Sequence, residues 1–253
     1  MKTNLHIFDT PEETARAVAI LIMESVKKKV KQSLPFNIAL SGGNTPNLLF
    51  NILANEFTDS IPWHFVRLFW VDERCVPPTN KESNFGMAYD NLLKLVSIQE
   101  TNIFRMQGEN DPQTEAIRYQ ELLEQELPIQ DGFPQFDLVL LGMGDDGHTA
   151  SIFPNDLSLL NSDLAVEVGV HPVTGQKRIT LTGPTIRQAT NVIFFITGSS
   201  KSKIISKIIQ QKNPYLDYPA SHVNSQKGIT YFYLDNEAAQ KLAPKFKKIQ
   251  PNF

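Results

Sequence analysis

The sequence has a single cysteine, Cys75, which rules out an intrachain disulfide framework and leaves no spacing for a zinc cluster. It also lacks a basic tract: 24 Lys+Arg stand against 27 Asp+Glu, a formal charge of −3. Nucleic-acid binders draw their affinity from clustered cations, so the balance argues against that class of partner. The densest run, Lys27-Lys28-Lys29 with Lys31, fits the solvated last turn of a helix, where cations complement the dipole. No apolar run approaches the roughly 20 residues of a membrane helix. The start, MKTNLHIFDTPEE, has no apolar centre of the kind a signal peptide needs. A cytoplasmic protein with no membrane partner is expected. No repeat, low-complexity tract or linker divides the chain, and the proline-bearing stretches at Pro77-Pro78 and 128–134 are short enough for loops. One domain spanning residues 1–253 is expected, long enough to bury a full core.

What is present is an alternation of short apolar runs and amphipathic segments. Leu5-His6-Ile7-Phe8 reads as a strand. Thr10-Pro11-Glu12-Glu13 then combines an N-cap, a proline at the first helical position and a glutamate three residues after the cap. Ala15, Val18, Ala19, Ile22 and Val26 recur at helical spacing behind it. Further strands are predicted at 36–40, 66–71, 137–141, 178–181, 191–196 and 229–234, and helices from Thr45-Pro46, over 114–127 and from Asn236. Strands that are apolar throughout and alternate with helices imply an α/β fold: a mainly parallel, doubly wound, Rossmann-like sheet with helices on both faces. Such sheets bind ligands beyond the carboxyl ends of their strands. Polar or glycine-rich stretches follow Leu40, Val71, Leu141 and Ile196, which localises a site at that edge.

Three of these stretches could carry chemistry. Ser41-Gly42-Gly43-Asn44-Thr45-Pro46 joins a strand to a helix, where glycines let amides approach an anion and the helix start adds positive potential. It is neither G-x-G-x-x-G nor a Walker loop, so a nucleotide is not indicated, and a plain turn with Thr45 as N-cap is the competing reading. Gly142-Met143-Gly144-Asp145-Asp146-Gly147-His148-Thr149-Ala150-Ser151 brings one histidine to the strand edge between glycines and two carboxylates. Neutral imidazole takes a proton from water near neutral pH, and a carboxylate can fix its tautomer. The competing reading is a loop whose aspartates make local turn bonds. His148 has no histidine partner at ligand spacing, which argues against a metal, and G-x-S-x-G is absent, which argues against a Ser151 nucleophile. Asp72-Glu73-Arg74 ends a strand, with Ser83-Asn84 beyond it; the arginine fork suits phosphate or an oxyanion, and the competing reading is a surface ion pair. Arg178 and Lys201 are further cations near strand ends, whereas Cys75, His6, His64, His171 and His222 read as structural or surface residues.

Taken together these segments resemble the 6-phosphogluconolactonase family of the pentose phosphate pathway. The likeness runs through the 40–46 stretch, Trp70-Val71-Asp72-Glu73-Arg74-Cys75-Val76-Pro77 with Ser83-Asn84, the 141–154 segment, Arg178-Ile179-Thr180-Leu181-Thr182, Pro219-Ala220-Ser221 and Leu234-Asp235. It covers nearly the whole chain, and the glycine-histidine segment is its most specific part. Two departures stand out: the family often has tryptophan just before the Arg178 segment and in the last strand, where this chain has 166–170 and 231–233.

The resemblance implies a fold shared with glucosamine-6-phosphate deaminases and ribose-5-phosphate isomerases. The deaminases continue after the histidine with an Ile-Ala-Phe-Asn-Glu-Pro-like stretch, whereas Thr149-Ala150-Ser151-Ile152-Phe153-Pro154 fits the lactonase. The implied partner is a small sugar-phosphate lactone, 6-phospho-D-glucono-1,5-lactone, with no metal or redox cofactor, and the chain is expected as a monomer or small homo-oligomer. An ester carbonyl is already electrophilic, and hydrolysis changes no oxidation state. The implied catalytic residues are His148 as base and then acid, Asp146 as its orienting partner, and Arg74 at phosphate or oxyanion. Ser41, Gly42, Gly43, Asn44, Thr45, Arg178 and Lys201 are implied on the phosphate, with Asp72 and Asn84 on sugar hydroxyls. An amino-sugar phosphate deaminase or isomerase is the alternative enzyme. A sugar-phosphate sensor is the non-enzymatic alternative, disfavoured because the chain enters its first strand and helix with no DNA-binding segment before them.

Overall fold

The computed structural model describes residues 2–247, which form twelve strands and seven helices. The strands are β1 (Lys2–Phe8), β2 (Phe36–Leu40), β3 (Val66–Trp70), β4 (Asp72–Arg74), β5 (Ile103–Phe104), β6 (Ile129–Gln130), β7 (Phe133–Pro134), β8 (Leu138–Leu141), β9 (Val166–Val170), β10 (Lys177–Leu181), β11 (Asn191–Ile196) and β12 (Ile229–Asp235). The helices are α1 (Pro11–Val30), α2 (Asn44–Glu56), α3 (Asn84–Asn91), α4 (Pro112–Glu126), α5 (Gly183–Gln188), α6 (Ser202–Ile209) and α7 (Pro244–Lys247).

Seven strands make one sheet in the order β1-β12-β11-β8-β2-β3-β5, and every pairing in it is parallel. All residues of β2 and β8 are buried, so the central strands are covered on both faces, and this is why they are apolar without alternation. From β2 the chain runs outward through β3 to β5, crosses back to the other side of β2 for β8, and then runs outward through β11 and β12. The winding therefore reverses between β2 and β8, the position at which open α/β sheets form their ligand crevice.

Thr10 caps α1 as its sequence indicates: its hydroxyl accepts the Glu13 amide at 3.1 Å, while the Glu13 carboxylate accepts the Asp9 amide at 3.1 Å. The lysines do close that helix, but Lys29 is not simply solvated: it pairs with Asp137 at 2.6 Å. Among the described residues no helix is long and apolar enough to cross a membrane.

Three expectations change. Residues 72–74 are not the tail of the third strand but a separate strand, β4, in a second, antiparallel sheet ordered β4-β10-β9. Val71 is the joint: its amide donates to Leu40 of the main sheet, and its carbonyl accepts Leu181 of the small one. The 128–134 stretch holds a two-residue ladder, β6 with β7, rather than plain loop. No helix starts at Asn236. The Asp235 carboxylate accepts the Ala238 amide and the chain turns repeatedly until Pro244, whose ring disfavours helical backbone at the residue before it.

Candidate active site

The turn after β2 is built around Gly43, whose φ of 106° is left-handed backbone that only glycine adopts cheaply. Gly43, not Thr45, occupies the N-cap position of α2, and no side chain caps that helix. Its first-turn amides thus lack a side-chain acceptor at the positive end of the helix dipole, the arrangement that suits an anion. The Thr45 hydroxyl pairs with Thr197 after β11 at 3.1 Å. The buried Ser41 hydroxyl is already committed to the Leu140 carbonyl of β8 at 2.7 Å.

The small sheet supplies the charge. In β4 the period of two places Asp72 and Arg74 on one side and Glu73 on the other. The register sets Arg74 opposite Arg178 and Asp72 opposite Thr180. Two like charges directly across a ladder destabilise it, so the pair is costly as structure and useful as an anion trap. Arg74 Nη1 donates to the Glu82 carbonyl, and its Nε is buried with no hydrogen-bond partner. The Arg178 guanidinium lies 5.7 Å from the Phe153 ring centre, and burial lowers its pKa. Asp72 is buried; it accepts the Ser151 hydroxyl at 2.7 Å, and Asn84 Nδ2 donates to its carbonyl at 2.8 Å.

Glu73, on the far side, organises the loop that delivers Asn84. One carboxylate oxygen accepts the Arg74 and Asn84 amides, and the other accepts the Ser83 hydroxyl and the Phe85 amide. Burial still outweighs these donors and pushes its pKa up. Desolvation, reinforced by Glu73, raises the neighbouring Cys75 thiol to about 11, which leaves it inert as a nucleophile near neutral pH.

After β8 the chain folds into a tight turn, with the Gly144 amide on the His148 carbonyl at 2.9 Å and the Gly147 amide on the Gly144 carbonyl at 3.1 Å. Asp146 turns back onto the histidine: its Oδ1 meets His148 Nδ1 at 2.6 Å and accepts the His148 amide at 3.0 Å. Burial would raise Asp146, but these bonds and the imidazole charge override it and hold the carboxyl at about 2. The imidazole packs on Phe153, ring centres 4.8 Å apart. Gly144 leaves the ring its room, since a Cβ there would lie 2.2 Å from His148 Cε1 and Nδ1. Tyr218 packs on Gly147, where a Cβ would lie 2.6 Å from its Cδ1, and Lys207 donates to the Tyr218 hydroxyl at 3.0 Å. Asp145, one residue before Asp146, faces the other way and pairs with Lys201.

These elements enclose a cleft of about 420 Å³ at the winding reversal. Ser41, Gly42, Gly43, Asn44, Thr45, Asp72, Arg74, Asn84, His148, Arg178 and Lys201 all line it, while Asp146 acts on it through His148. Ser151 does not line it; its hydroxyl is buried on Asp72. Sequence reasoning missed Phe153, Glu73, Thr197 and Ser200. Glu73 had a signal in the strand period of Asp72-Glu73-Arg74, whereas Phe153 and the post-β11 residues had none beyond their neighbourhood. Of the set-aside histidines, His171 comes nearest: it meets Phe153 edge-on at 5.2 Å, and its Nδ1 accepts the Val173 and Thr174 amides in the β9–β10 turn. Among the described residues no three His, Cys, Asp or Glu side chains are grouped to hold a metal ion.

Comparison with known proteins agrees with this architecture. A curated protein of Treponema pallidum (strain Nichols), named 6-phosphogluconolactonase, is 40% identical over 214 residues, covering 85% of this chain and 86% of its own. One of the same name from Haemophilus influenzae is 40% identical over 82% of this chain and 88% of its own. The solved structure of 6-phosphogluconolactonase from Trypanosoma brucei superposes with a TM-score of 0.82 at 31% identity, covering 96% of this chain and 99% of that one. A monomeric glucosamine-6-phosphate deaminase, at 21% identity and a TM-score of 0.79, shares the fold. The family model for glucosamine-6-phosphate isomerases/6-phosphogluconolactonase matches residues 9–232, and the chain belongs to that family.

Proposed function

We propose that this chain is a 6-phosphogluconolactonase, hydrolysing 6-phospho-D-glucono-1,5-lactone to 6-phospho-D-gluconate in the oxidative pentose phosphate pathway. The observation that carries the reading is the 2.6 Å bond between His148 Nδ1 and Asp146, set in the same cleft as the 42–45 turn and two arginines. An ionised Asp146 keeps the proton on Nδ1 and leaves Nε2 as the acceptor. In that tautomer His148 takes a proton from water as the water oxygen bonds to C1. Positive charge beside C1 favours the tetrahedral oxyanion. The C1–ring-oxygen bond then breaks, the departing oxygen receives the proton from His148, and the new carboxylic acid ionises into solvent. The α2 amides, Arg178 and Lys201 hold the phosphate, Arg74 adds charge at phosphate or oxyanion, and Asp72 and Asn84 meet sugar hydroxyls. The relatives named 6-phosphogluconolactonase support the same substrate.

The test is an assay in which a dehydrogenase generates the lactone in place and its loss is compared with the spontaneous blank. The chain should accelerate hydrolysis and release no ammonia from glucosamine 6-phosphate; the reverse pattern would replace this reading with the deaminase. A histidine base is worth ~10²–10⁴-fold, so His148→Ala should cut kcat at least about tenfold in a folded protein. Turnover close to wild type would remove His148 from the mechanism.

A further inference from the structure

Asp145 and Asp146 sit side by side at the tip of the 142–148 turn and serve opposite walls of the cleft. Asp146 points to His148, and Asp145 reaches across to the segment that follows β11. There it pairs with the Lys201 ammonium, whose hydrogen bond holds its carboxyl below the usual range. Ser200 and Lys201 both line the cleft and stand at the start of α6, beside Thr197, which bonds to Thr45 of the anion turn. A hydroxyl, an ammonium and a helix start are the donors that a phosphate oxygen needs, and a carboxylate of the chain already has the ammonium.

We propose that Asp145 is an internal competitor for the substrate phosphate, a residue that sets affinity by occupying Lys201 until a more highly charged anion displaces it. The inference rests on reading the cleft as a sugar-phosphate site. A phosphate monoester carries about −1.5 to −2 charges and three acceptor oxygens, so it outbids a single carboxylate, whereas an uncharged sugar does not. The competition weakens product retention as well. Hydrolysis adds a carboxylate to the bound molecule, and Asp145 returning to Lys201 helps expel it.

The experiment is calorimetric binding of 6-phosphogluconate and of inorganic phosphate, at fixed low ionic strength, to wild type, Asp145→Asn, Lys201→Ala and the double variant. With Asp145 mostly exposed, its removal should tighten both anions by about 1.5- to fivefold, the scale of a partly exposed ion pair. The gain should vanish when Lys201 is already alanine, because the effect runs through that ammonium. Equal or weaker binding by Asp145→Asn would overturn the proposal. A gain that persists without Lys201 would overturn it too, by assigning the effect to bulk charge. Failure of wild type to bind 6-phosphogluconate would instead sink the sugar-phosphate reading and the competitor with it, whereas wild-type binding with an inert Asp145→Asn sinks the competitor alone.

Discussion

Gly144→Ala should disable the histidine without disturbing the fold. The added Cβ would stand 2.2 Å from His148 Cε1 and Nδ1 and 2.8 Å from Asp146 Oδ1. Carbon atoms rest at about 3.5 Å or more, so ring and methyl must part by roughly 1.3 Å. The backbone has little freedom to supply that movement, because residue 144 is tied to the His148 carbonyl through its amide and to the Gly147 amide through its carbonyl. Phe153 bounds the ring at 4.8 Å, so the imidazole leaves by swinging off Asp146 and breaking the 2.6 Å bond. A misplacement near 1 Å can cost about 10²-fold in rate. The expectation is a kcat at least about 10²-fold lower with KM within about threefold, since the phosphate donors lie on other elements. The backbone at 144 is not left-handed, so alanine adds no φ strain, and the thermal midpoint should move little. Steady-state kinetics in the lactone assay with a parallel melting curve decide the matter. A kcat within about threefold of wild type would refute the argument that this glycine exists to seat the imidazole.

Three further perturbations separate structural from chemical roles. Glu73→Gln would turn an amide nitrogen toward two of the four donors that Glu73 now accepts, and each orphaned buried donor costs about 1–3 kcal/mol; denaturant unfolding should register a loss of about 2–6 kcal/mol, and an unchanged midpoint would contradict the network. Ser151→Ala removes the 2.7 Å bond to buried Asp72, so stability should fall by about 1.5–3 kcal/mol while turnover survives; complete loss of activity in a folded variant would revive Ser151 as a nucleophile. Asp146 is an acid whose folded pKa is depressed from 3.8 to about 2, so its stabilisation is present above pH 3.8 and is lost as pH falls toward 2. The carboxylate is 45% exposed, which holds the effect under about 1 kcal/mol. Asp146→Asn should flatten that acid limb of the unfolding profile and, by freeing the tautomer, lower kcat at least about tenfold. An acid limb identical to wild type would show that the His148 bond does not persist in solution.

How far the residues announced this arrangement depends on which signal each one used. The central strands of the main sheet were legible because they are buried on both faces and so are apolar throughout: β2 and β8 declare themselves as uninterrupted runs, and the stretches after them fall at the crevice by topology alone, whereas the two-residue edge strand β5 left no such run. The strand β4 obeys the same backbone rules but hides them, whereas its partner β10 was legible over 178–181. The cleft-facing side of β4 carries Asp72 and Arg74, so its period of two is written in charges, and a search for apolar alternation reads it as the end of a strand. The N-cap at Gly43 was missed for a related reason. Ser/Thr preference points to Thr45, but an ordinary cap would hand the first-turn amides a hydroxyl and remove them from an incoming anion. Adjacent Asp145 and Asp146 mark the limit of what composition can assign: the same residue type one position apart meets Lys201 on one side and His148 on the other, and the left-handed backbone at Gly147, φ 84°, belongs to the turn that carries them both. These three departures all border the cleft, where local rules are most often overridden, whereas the β6–β7 ladder and the turns after Asp235 lie away from it.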